Sequence, residues 1–200
     1  MIQNKKELMQ KIIVIILGSI LSAFGIMTAI GAGFGGATLA VLWQGVSKAT
    51  GLTIGQSSFL VAVIMILVSF FLDRKQIQIG TILYQIVYSS FVDVFAKVHL
   101  VTSLMAVNFV IMLIGIFLFA VGTALYASAD LGRGSYEALT FSIVTRSGKQ
   151  VKTIRMILDA AVVILGVLMG GKFGLCTICT ILLSGPLIQK TLQVIHSLQK

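Results

Sequence analysis

The glycines of the first half of the chain recur in the second half at a constant separation of 97 positions. Ten glycines lie in each half, so about one such coincidence is expected by chance, and four in the same order indicate a duplicated unit. A separation of 96 then aligns Gly80-Thr81 with Cys176-Thr177. We predict two tandem repeats, at about 8–97 and 105–195. The four pairs are Gly18 with Gly115, Gly25 with Gly122, Gly35 with Gly132, and Gly51 with Gly148.

The composition is that of a membrane protein. Hydrophobic residues make up 58% of the chain and charged residues only 10%, which is too little polar surface to cover a water-soluble globule. Uncharged stretches such as 12–44 and 98–129 are long enough to cross a bilayer. The net charge of +9 fits basic cytoplasmic loops better than nucleic-acid binding. The predicted class is an all-α polytopic membrane protein, with 1–200 as one membrane domain in contact with lipid.

Each half has the same predicted order: a long helix, a glycine-rich break, a short helix and two further helices. The short helices, 37–48 and 135–146, would rise only about 18 Å against a hydrocarbon core of about 30 Å, so they read as half-helices that do not cross. Six transmembrane helices remain, three in each repeat, and an odd number gives inverted repeats. The predicted long helices are 11–31, 56–72, 78–96, 105–127, 154–170 and 174–195.

The distribution of basic residues sets the expected orientation. With six crossings, both termini are cytoplasmic, most basic residues lie inside, and only three lie outside. If the short helices also crossed, the bias would be almost as strong, so helix length carries the decision. The predicted outside residues are Lys48, Lys97 and Lys172, and the inside residues are Lys5, Lys6, Lys11, Arg74, Lys75, Arg133, Arg146, Lys149, Lys152, Arg155, Lys190 and Lys200.

The first glycine-rich break supplies four candidate binding residues. Its glycines allow unusual backbone angles, and the helix that follows offers free N–H groups that attract anions. Close packing of helices through small residues explains the same pattern, and both interpretations stay open. The candidates are Gly33, Gly35, Gly36 and Thr38.

The equivalent break in the second half is more polar. Its candidates are Gly132, Gly134, Ser135 and Glu137, with Ser135 a plausible N-cap. Glu137 either complements the helix dipole or lies at membrane depth, where an ionisable group is costly and indicates function.

Arg155 and Asp159 are four positions apart, so one helix face would hold both. We expect a mutual salt bridge that leaves Arg155 with N–H donors for an anionic substrate. Their first-half equivalents, Ser58 and Ala62, are neutral, so the second half is expected to supply the charges of any site. Trp43 is expected to anchor the first short helix at the membrane interface.

Nothing in the sequence predicts a metal, a cofactor or catalysis. Cys176 and Cys179 have no further ligands beside them and read as small apolar residues of a packed helix. His99 and His196 are isolated and expected to be solvated. Since no nucleophile lies beside a base, we expect a protein that is not an enzyme.

These same residues resemble the YitT/YczE family of bacterial integral membrane proteins. The first half is similar to the YitT form in the run GFGGATLAVLWQGVSKATGLTIG. The chain departs from the family pattern at Ser135, Glu137 and Cys176, where proline, aspartate and glycine are common, and the family is often described with five spans. The residues of the second half that resemble YczE are Leu131, Gly132, Gly134, Tyr136 to Thr140, Gly148, Arg155, Asp159, Gly170-Gly171 and Gly185-Pro186.

The resemblance implies a multi-pass protein of the bacterial plasma membrane, for which transport is the usual suggestion. We therefore predict a small-solute transporter or permease with a site between its repeats, for an anionic or zwitterionic metabolite. A substrate-capture subunit of a multi-subunit importer and a non-transporting scaffold or regulatory protein are the alternatives. A homo-oligomer or a partner subunit is compatible with each of these.

Overall fold

The computed structural model describes residues 5–98 and 100–198, and these residues form eight α-helices without a strand. The expectations for His99 and Lys200, and those for residues 1–4 and 199, lie outside the described residues. A short 3-10 helix, Arg74–Gln76, follows the third helix. The helices are α1 Lys5–Gly31, α2 Thr38–Thr50, α3 Ile54–Leu72, α4 Ile79–Phe95, α5 Met105–Ser128, α6 Ser135–Ser147, α7 Val151–Leu168 and α8 Leu175–Leu198.

The all-helical prediction is confirmed. Four helices, α1, α3, α5 and α8, are long and apolar enough to cross a membrane. Of the other two predicted spans, α4 is apolar but has 17 residues, and α7 carries three charged residues in 18. The short helices α2 and α6 have 13 residues each, a rise of about 20 Å. This is a membrane protein, and its helices differ in whether their length and composition suit them to cross the bilayer.

The crossing of α1 and α5 is the most extensive helix contact of the fold. Glycine brings the two backbones together there. A methyl group added at Gly25 would lie against the backbone of Phe119 and 2.7 Å from the carbonyl oxygen of Gly115. One added at Gly122 would lie 2.7 Å from the carbonyl oxygen of Gly18. Larger residues would therefore force α1 and α5 apart.

The remaining helices surround this crossing. α4 packs on α1, and α8 packs on α5. The short helix α2 packs against α7, while the short helix α6 packs against α3. Because each short helix contacts a helix of the other half of the chain, the two halves are interlocked rather than set side by side.

Each glycine-rich break is also tied to the last helix of the other half. The carbonyl oxygen of Phe34 accepts a hydrogen bond of 2.9 Å from the N–H of Cys176, at the start of α8. The carbonyl oxygen of Leu131 accepts one of 2.8 Å from the N–H of Gly80, at the start of α4. The donors are 96 positions apart and the acceptors 97, which are the separations seen in the sequence.

The two short helices contact different loops. The loop between α7 and α8 lies on α2: the N–H of Lys172 donates to the Oε1 atom of Gln44 at 3.0 Å, and its carbonyl oxygen accepts from Gly36 at 2.7 Å. The loop between α3 and α4 lies on α6, with Thr145 beside Asp73. A hydrogen bond from Gln76 is the main cause of the lowered pKa of Asp73.

We predict that Gly25→Ala destabilises the protein by about 1–3 kcal/mol, because the added methyl group meets the backbone of α5. Gly31→Ala, in the same helix, is the matched control, since no atom lies within 4 Å of its added methyl group. Thermal unfolding of both purified variants in detergent is the measurement. Equal melting temperatures for the two variants would show that the close crossing is not required.

Candidate functional site

A cavity of about 100 Å³ lies at the centre of the fold, between the two halves. Helices α1, α2 and α4 of the first half and α5 to α8 of the second half all contribute to its lining. Polar and charged side chains face it from several of these helices: Thr38, Gln85, Thr123, Ser135, Glu137, Arg155, Asp159, Thr180 and Ser184.

Most of the residues predicted from the sequence converge on this cavity. Gly132 lies beside it, in a wider cavity described below. The three predicted glycines of the first break line neither cavity. Gly33 is exposed, and Gly35 and Gly36 pack against the loop before α8. The contacts of Gly35 and Gly36 are therefore those of close packing rather than of a binding site. The predicted residues that line the central cavity are Thr38, Gly134, Ser135, Glu137, Arg155 and Asp159.

Arg155 and Asp159 do not form the expected salt bridge with each other. Asp159 instead accepts a hydrogen bond of 2.5 Å from the hydroxyl group of Tyr136. The guanidinium group of Arg155 lies over the ring of the same tyrosine, 5.5 Å from its centroid. Both charged residues thus contact Tyr136 from α7, and within the described residues the Arg155 guanidinium meets no carboxylate.

The start of α6 also differs from the prediction. The N-cap is Gly134, without a side-chain cap, and Ser135 is the first helical residue. Its hydroxyl group donates to the Oε1 atom of Gln85 at 3.3 Å, which ties α6 to α4. The expectation that Ser135 caps α6 is therefore wrong: the side chain is used to join two helices.

Glu137 is partly buried in the first turn of α6 and faces the cavity. A methyl group added at Gly134 would lie 2.6 Å from its Oε2 atom, so the carboxylate lies directly against the break. Among the described residues, no hydrogen bond or ion pair reaches this carboxylate. The cavity thus contains an anionic group and a cationic group, Glu137 and Arg155, neither of which has an ionic partner.

Aromatic side chains form much of the cavity lining. Tyr84 stacks on Tyr126 with the ring centroids 3.8 Å apart, and on Tyr88 with the centroids 5.2 Å apart. Trp43 meets Tyr88 edge to face at 6.0 Å. Trp43 is 6% exposed, so the expectation of an interfacial anchor is wrong. We call the chain's four tyrosines and its one tryptophan the aromatic wall: Trp43, Tyr84, Tyr88, Tyr126 and Tyr136.

Hydrogen bonds within the protein occupy several other polar groups of the lining. Gln85 donates to Ser89 at 2.7 Å and accepts from Ser135. The hydroxyl group of Thr180 donates to the carbonyl oxygen of Cys176 at 2.7 Å. The hydroxyl group of Tyr126 accepts from the N–H of Gly134 at 3.0 Å, which holds the second break in place. These polar groups thus stabilise the lining of the cavity through hydrogen bonds within and between its helices.

A wider cavity of about 770 Å³, which we call the vestibule, adjoins the central one. The two share four lining residues, so they lie side by side. Lys75, Arg133 and His196 add basic character to the vestibule, and Asp130 is its further acidic residue. The guanidinium group of Arg133 lies over the ring of Phe141, 3.6 Å from its centroid. The shared residues are Thr123, Tyr126, Glu137 and Arg155.

Sequence reasoning missed the aromatic wall, although a signal was present in α4. Tyr84, Gln85 and Tyr88 are residues with polar groups in a mostly apolar helix, and Tyr84 and Tyr88 are one turn apart. Polar groups on one face of a membrane helix indicate a bundle interior or a cavity. Their partners Trp43 and Tyr126 come from other helices, which no local pattern reveals.

The site has the properties of a binding site for a small charged solute. Among the described residues, no group of three His, Cys, Asp or Glu side chains could hold a metal ion. Cys176 and Cys179 are free cysteines. The groups available to a solute are a carboxylate, a guanidinium and several aromatic rings.

The family of unknown function DUF6198 matches residues 9–193, so the chain belongs to that family. An uncharacterized protein of Haemophilus influenzae is 33% identical over 83% of this chain and 76% of its own length. The uncharacterized membrane protein YczE of Bacillus subtilis is 26% identical over 94% of this chain and 88% of its own length. YyaS of the same organism is 24% identical, over 92% and 94%. The resemblance to YczE is thereby confirmed, and no solved structure matches.

We predict that Tyr126→Phe lowers the stability by about 1 kcal/mol, because it removes the hydrogen bond to the N–H of Gly134. Tyr88→Phe is the control in the same wall, since no hydrogen bond of its hydroxyl group is found among the described residues. Thermal unfolding in detergent compares the two. A loss as large for Tyr88→Phe as for Tyr126→Phe would contradict the role given to the Tyr126 hydroxyl group.

Proposed function

We propose that this member of the DUF6198 family is a transporter for a small anionic or zwitterionic solute, which binds in the central cavity. The observation that carries the proposal is the pair of charged groups without ionic partners, Glu137 and Arg155, at the junction of the cavity and the vestibule. Buried charges without partners are costly in a membrane protein and are typical of solute pathways. The proposal includes no chemical change of the solute.

Matched contacts between the two halves of the chain support the proposal. We infer that α1–α4 and α5–α8 are two inverted repeats, each with three spans and one half-helix. The matched hydrogen bonds from Cys176 to Phe34 and from Gly80 to Leu131 are those expected of a two-fold relation between the halves. The reciprocal packing of α2 on α7 and of α6 on α3 is also consistent with it. Transporters of this kind bind solutes where their repeats meet.

The positions of the short helices support opposite orientations of the repeats. Both ends of α2 approach the loop between α7 and α8, through Gly36 and through the side chain of Lys48, which lies near Gly170. The helix α6 approaches the loop between α3 and α4. Because each short helix remains beside one inter-helix loop, we propose that neither crosses the bilayer and that the two lie near opposite faces.

The vestibule is proposed to open to the cytoplasm of the bacterial cell. Its basic residues Lys75 and Arg133 belong to the set assigned inside, and basic loops are characteristic of the cytoplasmic face. In this orientation the described state is open inward. Lys48, whose side chain lies near Gly170, and Lys172, whose N–H donates to Gln44, would both be outside.

We predict that Glu137→Gln and Arg155→Gln each reduce solute flux at least about tenfold, since each removes a charge that the solute would contact. Thermal shifts of the purified protein across organic anions and zwitterions identify the solute, and counterflow in proteoliposomes measures its flux. Glu7→Gln and Arg146→Gln, which lie away from the cavity, are the matched controls.

The outcomes separate the candidate functions. Flux that persists in both cavity variants would refute the site. Binding without flux would favour a substrate-capture subunit of a multi-subunit importer. No response to any solute, together with loss of folding in both variants, would favour a non-transporting scaffold or regulatory protein.

We predict that Lys48→Cys reacts with an impermeant thiol reagent from outside the cell and Lys149→Cys only from inside. These positions follow the same helix in the two repeats, so inverted repeats place them on opposite faces. The background lacks Cys176 and Cys179, the two native cysteines, both replaced by alanine. Labelling of both positions from the same side would eliminate inverted repeats.

A further inference from the structure

We propose that the solute is a zwitterion whose cationic end is a methylated ammonium group, held by the aromatic wall and Glu137, and whose anionic end is a carboxylate held by Arg155. This inference rests on the proposed binding role of the central cavity and narrows the solute from anions or zwitterions in general. It follows from the charges, the rings and the hydrogen bonds of the lining.

The charges of the cavity disfavour a simple anion. Two carboxylates, Glu137 and Asp159, face it together with one guanidinium group, that of Arg155. Asp159 has the hydroxyl group of Tyr136 as a partner, whereas Glu137 has no hydrogen-bond or ionic partner among the described residues. A solute without positive charge would leave Glu137 without a counter-charge once water is excluded from the cavity, which is costly.

The aromatic wall is the feature that selects a methylated ammonium group. All four tyrosines of the chain and its only tryptophan line this one cavity, and each is less than a tenth exposed. Aromatic faces attract cations, tryptophan most strongly, and clustered rings are the usual binding site for quaternary ammonium groups. A chance distribution would have placed some of these rings at the lipid surface, where amphipathic rings are common.

Apart from hydroxyl oxygens such as that of Tyr88, Glu137 is the main acceptor that the lining leaves for an unmethylated ammonium group. Such a group has three N–H donors that need acceptors. The oxygen of Gln85 accepts from Ser135, and the hydroxyl oxygen of Tyr126 accepts from Gly134. Within the central lining, Glu137 is the one carboxylate free of a hydrogen-bond or ionic partner among the described residues. A trimethylated group has no donors, and therefore suits one carboxylate surrounded by rings.

Arg155 supplies the opposite charge at the same site. Its guanidinium group lies over the ring of Tyr136 and makes no hydrogen bond or ion pair within the described residues, so its planar N–H donors remain for a solute. Guanidinium groups bind carboxylates through paired hydrogen bonds. The cavity volume of about 100 Å³ suits a compact solute.

Isothermal titration of the full chain in detergent tests the inference with four probes. Glycine betaine carries both proposed groups, glycine lacks the methyl groups, tetramethylammonium lacks the carboxylate, and acetate lacks the cation. We expect glycine betaine to bind at least about tenfold more tightly than each of the other three. Glycine or acetate binding as tightly as glycine betaine, or no binding of any probe, would overturn the inference.

Variants assign the two ends of the solute. Glu137→Gln is expected to weaken glycine betaine and tetramethylammonium alike, whereas Arg155→Gln weakens glycine betaine and leaves tetramethylammonium within about twofold. Tyr88→Leu and Trp43→Leu should remove most of the preference for glycine betaine over glycine, and Tyr88→Phe, which retains the ring, should keep it. Unchanged preferences in both leucine variants would refute the aromatic wall as the selecting feature.

The ligand series on the unaltered protein does not depend on the variants, so it decides the inference even if a leucine variant fails to fold. Counterflow of glycine betaine in proteoliposomes separates the two proposals. Tight binding without flux would leave the inference intact and contradict transport. Binding and flux of an unmethylated solute, lost in Glu137→Gln, would support transport and contradict the inference.

Discussion

The backbone contact between α1 and α5 determines how the rest of the chain is arranged. Gly18 and Gly25 face Gly115 and Gly122, and no side chain separates the two helices at these points. In lipid, association of helices depends on such close packing because burial of apolar groups gains little. The closeness of this pair brings α4 and α8, which pack on its two members, near enough to share one cavity between the halves.

The cavity is asymmetric in charge, since its charged residues all belong to the second half of the chain. On α7, Arg155 and Asp159 face the cavity, while the equivalent positions of α3 are Ser58 and Ala62. Ser58 is buried and hydrogen bonded to Ser89 at 3.0 Å, and Ala62 is buried in helix packing. Arg155 and Asp159 therefore face the cavity, whereas the positions 97 residues earlier lie in the packing between helices. An asymmetric solute with a distinct charge at each end matches such a site better than a symmetric one does.

The sequence was sufficient to predict the helices and the breaks because both depend on local properties. Apolar runs mark the spans, and glycines such as Gly35 and Gly132, which both have positive φ, mark the breaks. The convergence of Glu137, Arg155 and Asp159 was also predictable, since charges are rare in this chain. The aromatic wall was not, because Trp43 and Tyr88 meet only through packing of α2 near α4. A tryptophan in a short helix has the same local pattern whether it faces lipid headgroups or a cavity.

The partners of Arg155 and Asp159 also could not be predicted from local sequence. Spacing by one helical turn permits a salt bridge with Asp159, and in a lone helix that pairing would be favoured. Here Tyr136, from the facing helix α6, provides a hydrogen bond to the carboxylate and a ring beneath the guanidinium group. Tyr136 therefore decides which partners Arg155 and Asp159 have. It is distant from them in sequence and adjacent only in the folded chain.

The unpaired charges give a physical reason why solute binding and closure would be coupled in a transporter of this form. While the vestibule is open, water can reach Glu137 and Arg155 and offset the cost of keeping them ionised. Closing the vestibule over an empty cavity would remove that water and leave both charges without compensation. A zwitterion brings a cation for Glu137 and a carboxylate for Arg155, so the occupied site could close at a much lower cost than the empty one.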